Sequence, residues 1–154
     1  MIYYMKYYLT AVLVIAADQI SKAVIRMTMY VGDSISIIGD FFRLTYIRNS
    51  GAAFSMMSGQ RILLVVIPIA GIIAALWYLH HHRGEHWTLY GSWTLIISGG
   101  IGNLIDRIAF GEVTDMFDFS IFPPVFNVAD IAVTFGCALF IVYILAGDRL
   151  KKHE

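Results

Sequence analysis

"VFNVADIAVTFGCALFIVYILA" (Val125–Ala146) decides the fold. It carries one charge, Asp130, in an otherwise apolar run. As a helix rising about 1.5 Å per residue it is long enough to cross a hydrocarbon core of about 30 Å. Three more stretches share this character. Residues 7–27 are apolar at first and then interrupted by Asp18, Lys22 and Arg26, residues 62–79 carry no charge, and residues 87–107 are uncharged as far as Ile105. In lipid only a helix pairs its own backbone groups, so these runs predict an all-α membrane protein, a four-transmembrane-helix bundle.

Composition agrees. Of 154 residues 58% are hydrophobic and 14% charged, with a formal net charge of zero. A soluble domain of this size carries more charge, and nothing here is basic enough to suggest nucleic acid. Cys137 is the sole cysteine and lies in the last apolar run, which excludes a disulfide framework and a cysteine zinc site. The first segment has features of a cleaved signal peptide (Lys6, then an apolar centre, then Ala16 and Ala17), but "DQISKAVI" continues it as an amphipathic helix, so it is read as a span.

Between the first two spans, "GDSISIIGDFFRLTYIRN" (residues 32–49) has Gly-Asp turns and short β-branched and aromatic runs, the pattern of a small β-element facing outward. The whole chain, residues 1–154, reads as one domain. Four spans put both termini on one side. Lysine and arginine counts do not settle which side, but Lys22, Arg26, Arg48 and Arg107 lie in or beside polar clusters, so the termini are assigned to the cytoplasm. On that assignment Asp18, Arg48–Ser55, Asn103–Arg107 and Asn127–Asp130 all fall at one level, near the outer leaflet.

Asp18 and Lys22 stand four residues apart on one helix, the spacing of an ion pair that lets a polar helix sit inside the bundle. In "GGIGNLIDRI" (Gly99–Ile108) the glycines allow close helix approach, while Asn103, Asp106 and Arg107 form a polar face. Arg107 could snorkel to headgroups with Asp106 as its local partner, or Asn103 and Arg107 could steady a substrate. Asp115 and Asp118 lie in a stretch read as a loop, which Pro123 and Pro124 keep from becoming helical. Asn127 and Asp130 project from one face of the fourth helix. The loop could bring Asp115 to Asp130 as a catalytic pair, or Asp115 and Asp118 could be turn residues with Asp130 satisfied by Asn127. Two close carboxylates in a water-poor site share a proton, so one can activate water while the other polarises a peptide carbonyl, without metal or cofactor. His80, His81, His82 and His86 lack carboxylate or cysteine partners for a metal. A serine–lysine dyad would need Lys22.

"DQISK" (Asp18–Lys22), "RNSGAAFS" (Arg48–Ser55), "GNLIDRI" (Gly102–Ile108) and "VTDMFDF…FNVADIAV" (Val113–Val133) together resemble the lipoprotein signal peptidase, or signal peptidase II, family in order and spacing. The resemblance implies an aspartic endopeptidase that cuts a bacterial prolipoprotein just before its diacylglyceryl-modified cysteine. It assigns the catalytic pair to Asp115 and Asp130, substrate-lining positions to Asn49, Asn103, Arg107 and Asn127, and supporting roles to Asp18, Lys22 and Asp106. It implies no metal or cofactor, residence in the bacterial cytoplasmic membrane, work as a monomer beside phospholipid, acyl chains alongside Phe54, Met56 and Met57, and inhibition by globomycin-type peptides. Thr114 stands where a hydrophobic residue is usual, and the "SIFPP" connection is short. The rival reading is a small proton-coupled transporter or channel subunit; it expects acids through the membrane's depth, whereas the cytoplasmic half has none.

Overall fold

The computed structural model describes the backbone of residues 2–51, 60–82 and 84–150, and the side chains of 4–51, 60–82 and 84–146. Phe54, Ser55, Met56 and Met57 lie outside the described residues. The elements run α1 (Ile2–Thr28), β1 (Ser34–Ile38), β2 (Phe42–Asn49), α2 (Arg61–His81), α3 (Trp87–Ala109), β3 (Val113–Phe119), β4 (Phe122–Phe126) and α4 (Val128–Leu150).

Among the described residues three helices are long and apolar enough to cross a membrane: α1 over Tyr4–Thr28, α2 over its full length, and α4 over Val128–Ala146. Ile62, Val66, Ile73, Trp77, Phe135, Ile144 and Leu145 all project outward. Apolar cover on this scale is the surface of a protein whose solvent is hydrocarbon. The third helix, α3, differs because it lies inside, packed on α1, α2 and α4. Its Ser92, Thr94 and Ser98 are buried and satisfied by carbonyls within the same helix. A helix screened by its neighbours has no need of an all-apolar surface.

The glycines of α3 and α4 set how closely these helices approach. A Cβ on Gly99 would collide with the Ala129 carbonyl, and one on Gly136 would stand 2.8 Å from the Ser92 carbonyl. At one end of the bundle, Arg61 at the start of α2 donates to the carbonyls of Arg107 and Ile108, the last turn of α3. At the other, the Tyr90 hydroxyl donates to the His82 carbonyl, and Tyr143 on α4 donates to Glu85. The helices therefore alternate in direction, and Asp18, Lys22, Asn103, Asp106, Arg107, Asn127 and Asp130 fall at the first of these ends.

The sheet closes that end. Its strands are antiparallel in the order β1-β2-β3-β4. The β1–β2 hairpin turns at Gly39, whose φ of +48° suits a residue without a Cβ. It matches the expected β-element of residues 32–49. The second hairpin corrects the expectation of a loop before the fourth span: Asp115 and Asp118 stand on a strand. The prolines fit because Pro123 and Pro124 lie on β4, an edge strand that can forgo ladder donors. The short connection is the turn at Ser120 and Ile121, and Val125 and Phe126 belong to β4 instead of opening the last helix. Tyr46 and Met116 bury one sheet face against Ile25 of α1 and Met29 just beyond its end. Val113, Thr114, Asp115 and Met116 are all buried, so β3 is covered on both faces.

Candidate active site

Asp115 leaves the face of β3 opposite Thr114 and Met116. Asp130 stands in the first turn of α4. Asn127, just before that helix, joins them. Its Nδ2 donates to Asp115 Oδ1 at 2.6 Å, and its Oδ1 accepts from the Asp130 backbone N–H at 2.9 Å. In return Asp130 Oδ2 accepts from the Asn127 backbone N–H at 3.2 Å. This reciprocal pair is a capping box written with Asn at the cap and Asp three residues later. The helix start that would leave orphan N–H groups is thus used to fix a carboxylate. The contacts that cap α4 also fix where the Asp130 carboxylate lies.

A second amide closes the ring. Asn103 Nδ2 donates to Asp130 Oδ1 at 2.8 Å, while its Oδ1 accepts from Lys22 Nζ at 2.9 Å and from Asn127 Nδ2 at 3.1 Å. Lysine is a donor only, so Lys22 fixes the amide with its nitrogen toward Asp130. From β2, Asn49 Nδ2 donates to Asp115 Oδ2 at 3.0 Å, and its Oδ1 accepts from the Gly51 N–H. Asp115 is buried, and this burial pushes its carboxyl up to about 6, with the nearby Asp130 charge adding to the rise and the Asn49 and Asn127 hydrogen bonds opposing it.

Behind the amides lies a buried ionic core. Lys22 Nζ pairs with Asp18 Oδ2 at 2.8 Å and with Asp106 Oδ2 at 3.4 Å, all three fully buried. Arg26 approaches Asp106 Oδ1 at 3.5 Å and donates to Thr114 Oγ1 at 3.1 Å. Two acids and two bases balance, and Lys22 passes the network on to Asn103. Asp106 faces α1 and the Thr114 N–H instead of pairing with Arg107. Arg107 donates to the Gly51 carbonyl at 2.9 Å, and its buried Nε has no hydrogen-bond partner among the described residues.

Asp118 does not join this cluster. It accepts from Arg43 and Thr45 on the neighbouring strand. Gln19 is a residue that the sequence reading passed over: its Nε2 reaches Asp18 and the Gly102 carbonyl at 3.0 Å each and Asp106 at 3.3 Å. Its place beside Asp18 in a polar motif was the available signal. Among the described residues no three His, Cys, Asp or Glu side chains gather where they could hold a metal ion.

A family model described as signal peptidase (SPase) II matches residues 10–146. The chain belongs to the signal peptidase II family. It is similar to the lipoprotein signal peptidase of Halothermothrix orenii, 46% identical over 93% of this chain and 97% of that one. The lipoprotein signal peptidase of Streptococcus pneumoniae is 42% identical over 86% of this chain and 88% of its own. Among solved structures, a bacterial membrane enzyme determined by the in meso method at 2.3 Å resolution superposes with a TM-score of 0.87 at 36% identity, covering 91% of this chain and 87% of that one. Membership in signal peptidase II makes the chain a peptidase, and its apolar helices make it a multi-pass membrane protein.

Proposed function

We propose that the chain is an aspartic endopeptidase that removes the signal peptide of bacterial prolipoproteins immediately before the diacylglyceryl-modified cysteine, with Asp115 and Asp130 as the catalytic pair. The observation that carries this reading is the linkage of the two carboxylates through Asn127, each satisfied on its outer side by a further amide, Asn49 or Asn103. The relatives' name, lipoprotein signal peptidase, supports the substrate class.

The pair holds one proton between two carboxylates and titrates as a unit. The ionised member takes a proton from water as the water oxygen attacks the scissile carbonyl carbon. The protonated member donates to the carbonyl oxygen, giving a tetrahedral diol. Collapse breaks the C–N bond, and a proton passes from the pair to the leaving amine. Asn49, Asn103 and Asn127 hold the carboxylates in register, and together with Arg107 they line the substrate. Asp18, Lys22 and Asp106 hold the amides from behind.

In the membrane, α3 serves as a fourth span, both termini lie in the cytoplasm, and the sheet end lies at the outer leaflet of the cytoplasmic membrane. That level suits a substrate cysteine whose acyl chains sit in the bilayer, with phospholipid alongside. The enzyme works as a monomer, and globomycin-type peptides compete for the groove. Cleavage of a lipidated precursor by the purified protein, with and without a chelator, tests the reading. Asp115→Asn and Asp130→Asn should each abolish cleavage while the protein stays folded in detergent, and the wild type should keep its rate with chelator present. Near-normal turnover by either variant would overturn the assigned pair.

A further inference from the structure

On the sheet face away from Asp115, a cavity of about 120 Å³ borders the network just described and shares Arg26 and Thr114 with it. Arg26, Tyr46, Arg48, Phe110, Glu112 and Thr114 line it. Arg48 and Thr114 are cross-strand partners, so their side chains leave the same face, while the partners Ile47 and Asp115 leave the other. Arg26 belongs to the last turn of α1, and Phe110 caps the end of α3. The cavity therefore sits where these helices end and the sheet begins. Its surroundings are apolar and face outward at Met27, Tyr30, Ile108 and Phe110. In a membrane protein, the end of a span flanked by such residues is the level of lipid headgroups.

The charges in this cavity are arranged unusually. Arg26 lies over the Phe110 ring, 4.4 Å from its centroid, with one amino group toward Thr114. Arg48 uses its Nε on the Tyr46 hydroxyl at 3.2 Å. Among the described residues Arg48 and Glu112 form no salt bridge with each other or with anything else, although they line the same small space. Opposite charges that share a cavity without closing on one another offer two separated half-sites. A guanidinium fork fits a phosphate, and a carboxylate beside it fits a primary ammonium, which has three hydrogens to donate.

We propose that this cavity binds the headgroup of a bilayer phospholipid carrying a phosphate and a primary ammonium, as in phosphatidylethanolamine. The phosphate lies between Arg48 and Arg26, the ammonium meets Glu112, and the acyl chains run down past Met27 and Ile108. A headgroup with phosphate alone leaves Glu112 facing negative charge. A quaternary ammonium has no hydrogen to give Glu112. The headgroup touches neither Asp115, Asp130 nor the amides assigned to the proposed cleavage chemistry.

Native mass spectrometry of the full chain, released from detergent with equal amounts of phosphatidylethanolamine, phosphatidylglycerol and phosphatidylcholine of matched acyl chains, tests this. The wild type should retain phosphatidylethanolamine about three- to fivefold over each of the others, the scale of a partly exposed charge pair. Arg48→Gln should lower retention of all three, and Glu112→Gln should level the preference over phosphatidylglycerol. Inorganic phosphate at the same concentration should displace none of them. Equal retention of the three lipids by the wild type overturns the proposal, and that measurement needs no variant. A preference that survives both substitutions, or lipid displaced by phosphate as readily as by a second phospholipid, also overturns it.

Discussion

Asp18 accepts a hydrogen bond of 2.9 Å from the backbone N–H of Ala129, in the first turn of α4. A side chain from the first helix thereby caps the last one, at the residue just before Asp130. The contact exists because Gly102 of α3 stands between them without a Cβ. One added there would lie 2.6 Å from Asp18 Oδ2 and 3.2 Å from the Ala129 Cβ. Three helices meet at this point, and their spacing fixes the ionic core and the amide ring together.

Gly102→Ala should therefore be destabilising, by about 1–3 kcal/mol as for other overpacked sites, and should lower cleavage by displacing Asp18. Gly100→Ala, two residues away, meets only Ile72 at 3.8 Å and should be neutral or slightly stabilising, since alanine favours the helix. Thermal unfolding of the two variants in detergent compares them directly. Equal losses would mean that the close approach at Gly102 does not set the packing.

The raised carboxyl of Asp115 implies a pH-dependent cost. Its folded value of about 6 lies above the ordinary 3.8. Between those values the folded protein keeps a proton that the unfolded chain has released, so stability falls as pH rises through this window, by about 3 kcal/mol at most. Below 3.8 the penalty is absent, and above 6 it is fully present. Asp115→Asn removes the ionisation while keeping one acceptor for Asn49 or Asn127. The variant should melt higher than wild type near pH 7 and with it near pH 3.5. A wild type that is the more stable of the two near pH 7 would contradict the burial cost.

Asp118 supplies the internal control, since it is an aspartate three residues from Asp115 in the same motif. It pairs with Arg43 at 3.1 Å, and 42% of the Arg43 side chain is exposed. Asp118→Ala should cost about 1 kcal/mol or less, as surface pairs do, and should leave cleavage within about twofold of wild type. Loss of activity in a folded Asp118→Ala protein would show that the reactive carboxylates had been assigned to the wrong member of the motif.

The sequence made the convergence of acids legible because charged and amide residues are costly at membrane depth, and all of them fell at one level. The capping relation was also open to reading, since "NVAD" has the spacing of a box. The β3–β4 hairpin was not. Its strand β3 is buried on both faces and carries two aspartates, so it lacks the alternation that marks a half-exposed strand. Pro123 and Pro124 argue against a central strand, and only the sheet order reveals β4 as an edge. Asp106 was read with its neighbour Arg107, yet its partners are Lys22, Arg26 and the Thr114 N–H, contacts that only packing of α1 on α3 can specify.

Asn127 combines two tasks that substitution can separate. Its Oδ1 caps α4 by accepting from Asp130 N–H, and its Nδ2 bridges to Asp115 and Asn103. Asn127→Ala removes both and should cost about 1–2 kcal/mol for the cap, with a large fall in kcat. Asn127→Ser restores a hydroxyl acceptor for the Asp130 N–H, but the side chain is too short to span from the helix start to β3. Stability should return to near the wild-type value, while kcat stays low and KM changes little. If serine instead restores kcat along with stability, Asn127 acts only as a helix cap, and the bridge between the carboxylates contributes nothing to the reaction.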